Sequence, residues 1–107
     1  MEEMESICFR IISNAGQARS LIFEALQDAK GRNYFEAESK ITEANKFFIE
    51  AHNLHTKLIQ KEAQGNEIKF SLLLMHAEDQ LMSTETIKHL VNEVIAMYKI
   101  CMEANKK

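Results

Sequence analysis

A chain of 107 residues, 46% hydrophobic and 27% charged, is long enough for one compact domain and too short for two ordinary ones. It has no Pro, no Trp and three Gly, and much Ala, Leu, Glu and Lys, which weighs against a sandwich or barrel and points to an all-α fold. The formal charge of −3, from 13 Lys and Arg against 16 Asp and Glu, provides no general attraction to phosphate backbones or anionic lipid, so no nucleic acid partner is expected.

The chain starts Met1-Glu2-Glu3-Met4-Glu5, without the basic segment of a secretory signal, and no apolar run approaches the roughly 20 residues needed to span a bilayer. A cytoplasmic protein with no direct membrane insertion is the expectation. The first helix is expected over about 4–30. There Met4, Cys8, Ile11, Ala15, Ala18, Ile22, Ala25 and Ala29 recur every three or four residues and form one seam of small and medium side chains that permits close helix approach. Lys30 and Gly31 close it, with Gly31 where a left-handed C-cap belongs. Cys8 and Cys101 lie near opposite termini without a CxxC or Cys/His ligand spacing, so they are read as reduced packing residues.

The second helix is expected over about 34–63, with Tyr34, Ala37, Ile41, Ala44, Phe48, Ala51, His55 and Leu58 inward and Glu36, Lys40, Glu43, Lys46 and Glu50 outward. Gly65-Asn66 makes the next break, and the third helix is expected over about 67–104. Two short connections between long helices imply an antiparallel up-down-up three-helix bundle, one domain over 1–107.

The third helix carries two opposed stripes. One holds Phe70, Leu74, Ala77 and Leu81; the other holds Leu72, Met75, Asp79, Met82 and Thr86 at coiled-coil spacing. A three-helix domain has one interior for one stripe, so the second calls for another subunit. An acid in such a seam must be paired, protonated or metal-bound. If copies of Asp79 converge on a cyclic axis, a divalent cation such as Mg²⁺ or Ca²⁺ is the natural counter-charge; the alternative is that Asp79 simply faces solvent. His76 lies three residues before Asp79, at the border of this stripe. A neutral imidazole there is a nucleophile that can accept and pass on a phosphoryl group without a cofactor, and equally it is a packed or surface histidine.

The string Leu72-Leu73-Leu74-Met75-His76-Ala77-Glu78-Asp79-Gln80-Leu81-Met82 resembles the active-site segment of the IIA components of the lactose/cellobiose family of the bacterial sugar phosphotransferase system, whose usual form reads HAQDHLM. Ala15-Gly16-Gln17-Ala18-Arg19-Ser20, Glu24-Ala25-Leu26, and the stretch from Glu50-Ala51-His52 through Thr56 to Gly65 are similar to the family's AGxARS, EAL and EAHxxQTxLIxxEAxG. The resemblance covers nearly the whole chain and implies a homotrimer of three-helix subunits. It implies that His76 takes a phosphoryl group from the histidine phosphocarrier protein and hands it to a cysteine of the IIB component, and that Asp79 holds a metal ion at the trimer axis.

Three positions depart from those patterns. Glu78 stands for Gln beside the nucleophile and is read as a solvated charge. Gln80 stands for His one helical turn beyond His76, able to hydrogen-bond the ring or a bound phosphoryl group but not to supply a cation. His55 stands for Gln on helix two and is read as a hydrogen-bonded core histidine, His52 as a partner-facing or structural residue, and His89 as a solvated or edge residue. Met75 and Met82 are read as core or seam fillers, with Met75 and Leu72 also placed to form an apolar docking rim around His76. The rival reading from another class is a non-enzymatic helical oligomerisation or adaptor module; a histidine phosphotransfer domain lacks support, since its basic residue and glycine after the histidine are not found.

Overall fold

The structure, a computed structural model, describes residues 2–105. Its three helices are α1 (Glu2–Lys30), α2 (Tyr34–Ala63) and α3 (Leu72–Asn105), and the expected all-α, up-down-up architecture is observed. Cross-helix pairs define the register. Lys61 with Glu3, Arg10 with Glu50 and Lys40 with Asp28 set α1 and α2 antiparallel, and His55 with Glu78 and Lys99 with Glu38 set α2 and α3 antiparallel, so α1 and α3 run parallel.

The α1–α2 turn is short because one residue serves both helices. The Asn33 N–H donates to the Asp28 carbonyl (2.8 Å) and the Arg32 N–H to the Ala29 carbonyl (3.0 Å), which closes α1, and the Asn33 carbonyl accepts the Ala37 N–H that opens α2. The left-handed position is Arg32, at φ 66°, one residue later than the expected Gly31. Gly31 is instead the last half-helical residue of α1, and a non-glycine residue bears the left-handed conformation. At the end of α2 the same pair of bonds recurs, from Asn66 to Lys61 and from Gly65 to Glu62, with Gly65 at φ 91° in the left-handed position the sequence assigns it.

The third helix starts at Leu72, not near residue 67. Ser71 sets the start: its Oγ accepts the Leu74 N–H at 3.1 Å and its carbonyl accepts the Met75 N–H at 3.0 Å, so it caps the first turn. Phe70 therefore precedes the helix and does not follow its phase. Expected on the inner stripe, it is 69% exposed.

The α1 seam from Cys8 through Ile11, Ala15, Ala18, Ile22 and Ala25 to Ala29 is buried, with Met4 packed at its edge. Each fully buried isoleucine, Ile11 and Ile22, contributes on the order of 2–3 kcal/mol through area removed from water. In α2, Ala37, Ala44, Phe48, Ala51 and Leu58 are buried, but Leu54 takes the core position expected of His55. In α3, Leu74, Ala77 and Leu81 continue into Val91 and Ile95, joined by Thr84, whose hydroxyl donates to the Ala15 carbonyl at 3.4 Å. The helix α1 packs closely against both neighbours, while α2 and α3 meet largely through long side chains: the Lys88 ammonium stands 4.4 Å from the Phe48 ring centre, and Lys99 pairs with Glu38. Cys8 is a packing residue as read from the sequence; Cys101 is exposed, because the end of α3 runs past its neighbours, and neither is in a disulfide.

Two glycines test this account with opposite signs. Gly16 lies inside α1 with open space where a Cβ would stand, whereas Gly65 sits at positive φ. In urea denaturation, Gly16→Ala should raise stability by about 0.5–1 kcal/mol and Gly65→Ala should lower it by about 1 kcal/mol.

Candidate functional site

The second stripe of α3 lies on the outside of the bundle. Leu72 (79% exposed), Met75, Met82, Leu90, Val94, Met97 and Ile100 form a long uncovered apolar face. Asp79 is exposed among them, its Oδ1 accepting from the Ser83 hydroxyl at 3.4 Å. Met75 and Met82 are therefore outward-facing rather than core residues of the single chain. Among the described residues, no three His, Cys, Asp or Glu side chains of one chain converge as a metal site.

His76 is exposed in the second turn of α3, beside this face. A helical side chain leans toward the helix N-terminus, so the imidazole overlies the first turn. That turn carries no acidic residue, which leaves the partial positive charge of the helix start unneutralised.

One turn further on, Gln80 is held from the neighbouring helix: Nη1 of Arg19 donates to its Oε1 at 2.6 Å in a part-buried contact. Arg19 and Gln80 belong to separate motifs of the sequence, and their meeting is not legible there. The packing of α1 against α3 and the reach of the Arg19 side chain create it, and no spacing within one helix reports which residues of two helices stand close.

The other two departures also meet. Nε2 of His55 lies 2.8 Å from Oε1 of Glu78, tying α2 to α3. Glu78, expected to be simply solvated, is half exposed but paired, and His55 sits at the edge of the core rather than inside it. The cause is common to both: this flank of α3 faces α2 across a gap that only long side chains span. Burial, and secondarily the charge of Glu78, pushes the Cys8 thiol above its ordinary value, so Cys8 is no nucleophile at neutral pH. His52 is exposed, its ring stacked 6.3 Å from that of Phe48, and His89 is exposed.

Residues 6–99 match the family model described as the lactose/cellobiose-specific IIA subunit of the phosphotransferase system. The chain belongs to this family. The oligo-beta-mannoside-specific EIIA component of Bacillus subtilis is 44% identical over 95 residues, covering 89% of this chain and 86% of that one. The crystal structure of the cellobiose-specific enzyme IIA from Bacillus anthracis superposes with a TM-score of 0.89 at 43% identity, covering 92% of this chain and 90% of that one. The IIA(chitobiose) of Escherichia coli, solved in complex with HPr, superposes with a TM-score of 0.82 at 34% identity, over 95% and 99% of the two chains.

As a IIA subunit, the chain is a phosphotransferase component of sugar uptake, which removes the adaptor reading. Among the described residues, no helix of this IIA subunit is long and apolar enough to cross a membrane. The IIA scaffold here is tied across α2 and α3 by an ionisable pair, and that pair is measurable. In a double-mutant cycle of His55→Ala and Glu78→Ala, read by thermal unfolding at neutral pH, the coupling should be about 0.3–1 kcal/mol, since Glu78 is half exposed.

Proposed function

We propose that this IIA subunit carries a phosphoryl group on His76, accepting it from the histidine phosphocarrier protein and passing it to a cysteine of the IIB component in the cytoplasm, during uptake of a lactose-, cellobiose- or chitobiose-type disaccharide. The observation that carries the reading is the exposed imidazole of His76 on α3, one turn from an Arg19-anchored Gln80, in a chain of this family. The likeness to a IIA solved with HPr supports the choice of donor.

In the first step an imidazole nitrogen of His76 attacks the phosphorus of the donor's phosphohistidine. A new P–N bond forms and the donor's P–N bond breaks with its electron pair staying on the departing imidazole; the proton that the His76 ring sheds to solvent balances the one that the departing ring takes up. In the second step a IIB thiolate attacks, a P–S bond forms, and His76 keeps the electron pair of the broken P–N bond and takes up a proton from solvent, which restores the neutral imidazole. Transfer of this kind asks for in-line positioning and charge balance more than for covalent help. Leu72 and Met75, exposed beside His76, supply the apolar rim on which the partner docks and from which water is excluded.

The assembly we infer is a homotrimer packed through the outer stripe of α3. The exposed apolar residues from Leu72 to Ile100 support it, because a face of that length in water favours association. Asp79 fits a shared cation as one hard oxygen ligand per copy: a single chain offers no converging donor set, and three copies bring three carboxylates into an apolar seam. A bound Mg²⁺ or other divalent cation supplies charge neutralisation there, and takes no part in the transfer.

Incubation with phosphoenolpyruvate, enzyme I and the histidine phosphocarrier should add one acid-labile phosphate per subunit, lost in His76→Ala; a wild-type chain that gains none overturns the carrier reading. In sedimentation, the wild type should run as a trimer weakened by a chelator. Asp79→Leu, which removes the converging charges, should give a trimer indifferent to chelator. A monomeric wild type sinks the seam assignment.

A further inference from the structure

We propose that Arg19 is a positioning residue that turns the Gln80 side chain so that its amide N–H groups, and not its carbonyl, face the phosphoryl group on His76; this rests on the carrier reading above. A guanidinium has five N–H donors and no acceptor, so the only end of the Gln80 amide that can meet it at 2.6 Å is the carbonyl oxygen. With Oε1 committed to Arg19, Nε2 and its two protons occupy the opposite end of a rigid planar group. Gln80 is four residues beyond His76, so the two side chains share a face of α3, and Gln80 leans toward the helix N-terminus and thus toward the imidazole.

The orientation matters because an amide has two ends of opposite polarity. A glutamine free to rotate presents its carbonyl to an incoming phosphoryl group as readily as its amide, and two sets of acceptor oxygens repel. Anchoring removes the unfavourable rotamer before the group arrives, so no reorganisation is needed during transfer. The Arg19 charge also polarises the amide it holds, which strengthens the Nε2–H groups as donors. Part-burial of the contact limits competition from water. The cation that Gln80 lacks is thereby supplied from α1, one hydrogen bond away from the phosphoryl oxygens.

The experiment compares phosphoryl acceptance from the phosphorylated histidine phosphocarrier in four chains, Arg19→Met in the Gln80 background and in the Gln80→His background, each against its parent. An imidazole needs no anchor to expose a donor. Arg19→Met should therefore slow acceptance about tenfold in the Gln80 chain and by less than about threefold in the Gln80→His chain. Equal losses in both backgrounds make Arg19 a general structural residue and overturn the relay. Gln80→Glu keeps the Arg19 contact, and with it the fold, but has no N–H to donate. It should slow acceptance at least about tenfold, and wild-type rates in it would also overturn the relay. A spectroscopic readout separates orientation from stability: the ¹⁵N-labelled side-chain amide of Gln80 should shift on phosphorylation of His76 in the wild type and not in Arg19→Met. A wild type that takes no phosphate defeats the carrier reading and the relay together; one that does, with equal losses, defeats the relay alone.

Discussion

The close packing of α1 against both of its neighbours is the constraint on which the rest of this molecule depends. Alanine recurs along the buried faces, at 15, 18, 25 and 29 of α1, at 37, 44 and 51 of α2 and at 77 of α3. A methyl-lined face lets two backbones approach, and it brings little side-chain entropy to lose on folding. Where α1 meets α3 the approach is tight enough for the Thr84 hydroxyl to reach a helix carbonyl at Ala15. From one turn further along α1, the long side chain of Arg19 reaches back to Gln80, one turn before Thr84, so the contact spans this close approach of the two helices. Larger residues at these positions would push α3 outward and take Gln80 beyond the reach of Arg19.

A helix held so firmly on one side leaves its other side committed to something else. The inner face of α3 is filled by Leu74, Ala77, Leu81, Thr84, Val91 and Ile95, and nothing in the single chain covers the opposite row from Leu72 to Ile100. Asp79 breaks that row with a charge, and His76 stands at its margin. One helix thus presents three surfaces arranged by angle: a core face on one side, an uncovered apolar face on the other, and the exposed His76 at the border between them. The α2 flank adds only bridging side chains, His55 with Glu78 and Lys88 over Phe48, which hold α2 to α3 without close backbone packing.

Much of this is legible in the residues alone. Seven-residue steps along α1 identify its buried seam residue by residue, and the opposed stripes of α3 can be separated because their phases differ by half a turn. The start of α3 is misplaced because Ile68 and Phe70 extend an apolar pattern that a helix would also show, whereas the cap at Ser71 depends on a single hydroxyl. His55 is misread because it neighbours Leu54 on a broad inner face, and periodicity resolves such a face only to one residue. The contacts Arg19–Gln80 and His55–Glu78 were hidden for a different reason: each joins two helices, and their relative height is set by the turns and by packing. The candidate nucleophile itself was visible chiefly through its family-like string, since spacing alone treats an exposed histidine as unremarkable.

The parallel run of α1 and α3 makes the residue count between them a ruler. Each residue added to a helix advances it about 1.5 Å and swings everything beyond by about 100°, so one insertion between Ala15 and Arg19 would carry the guanidinium off the shared flank altogether. The stretch from Gly65 to Ser71 has no such duty, because it lies outside every helix and the cap at Ser71 restarts the count for α3. Length variation in proteins built this way should therefore gather in that connection, and chimaeras that exchange it should keep their geometry while single-codon deletions within either helix destroy it.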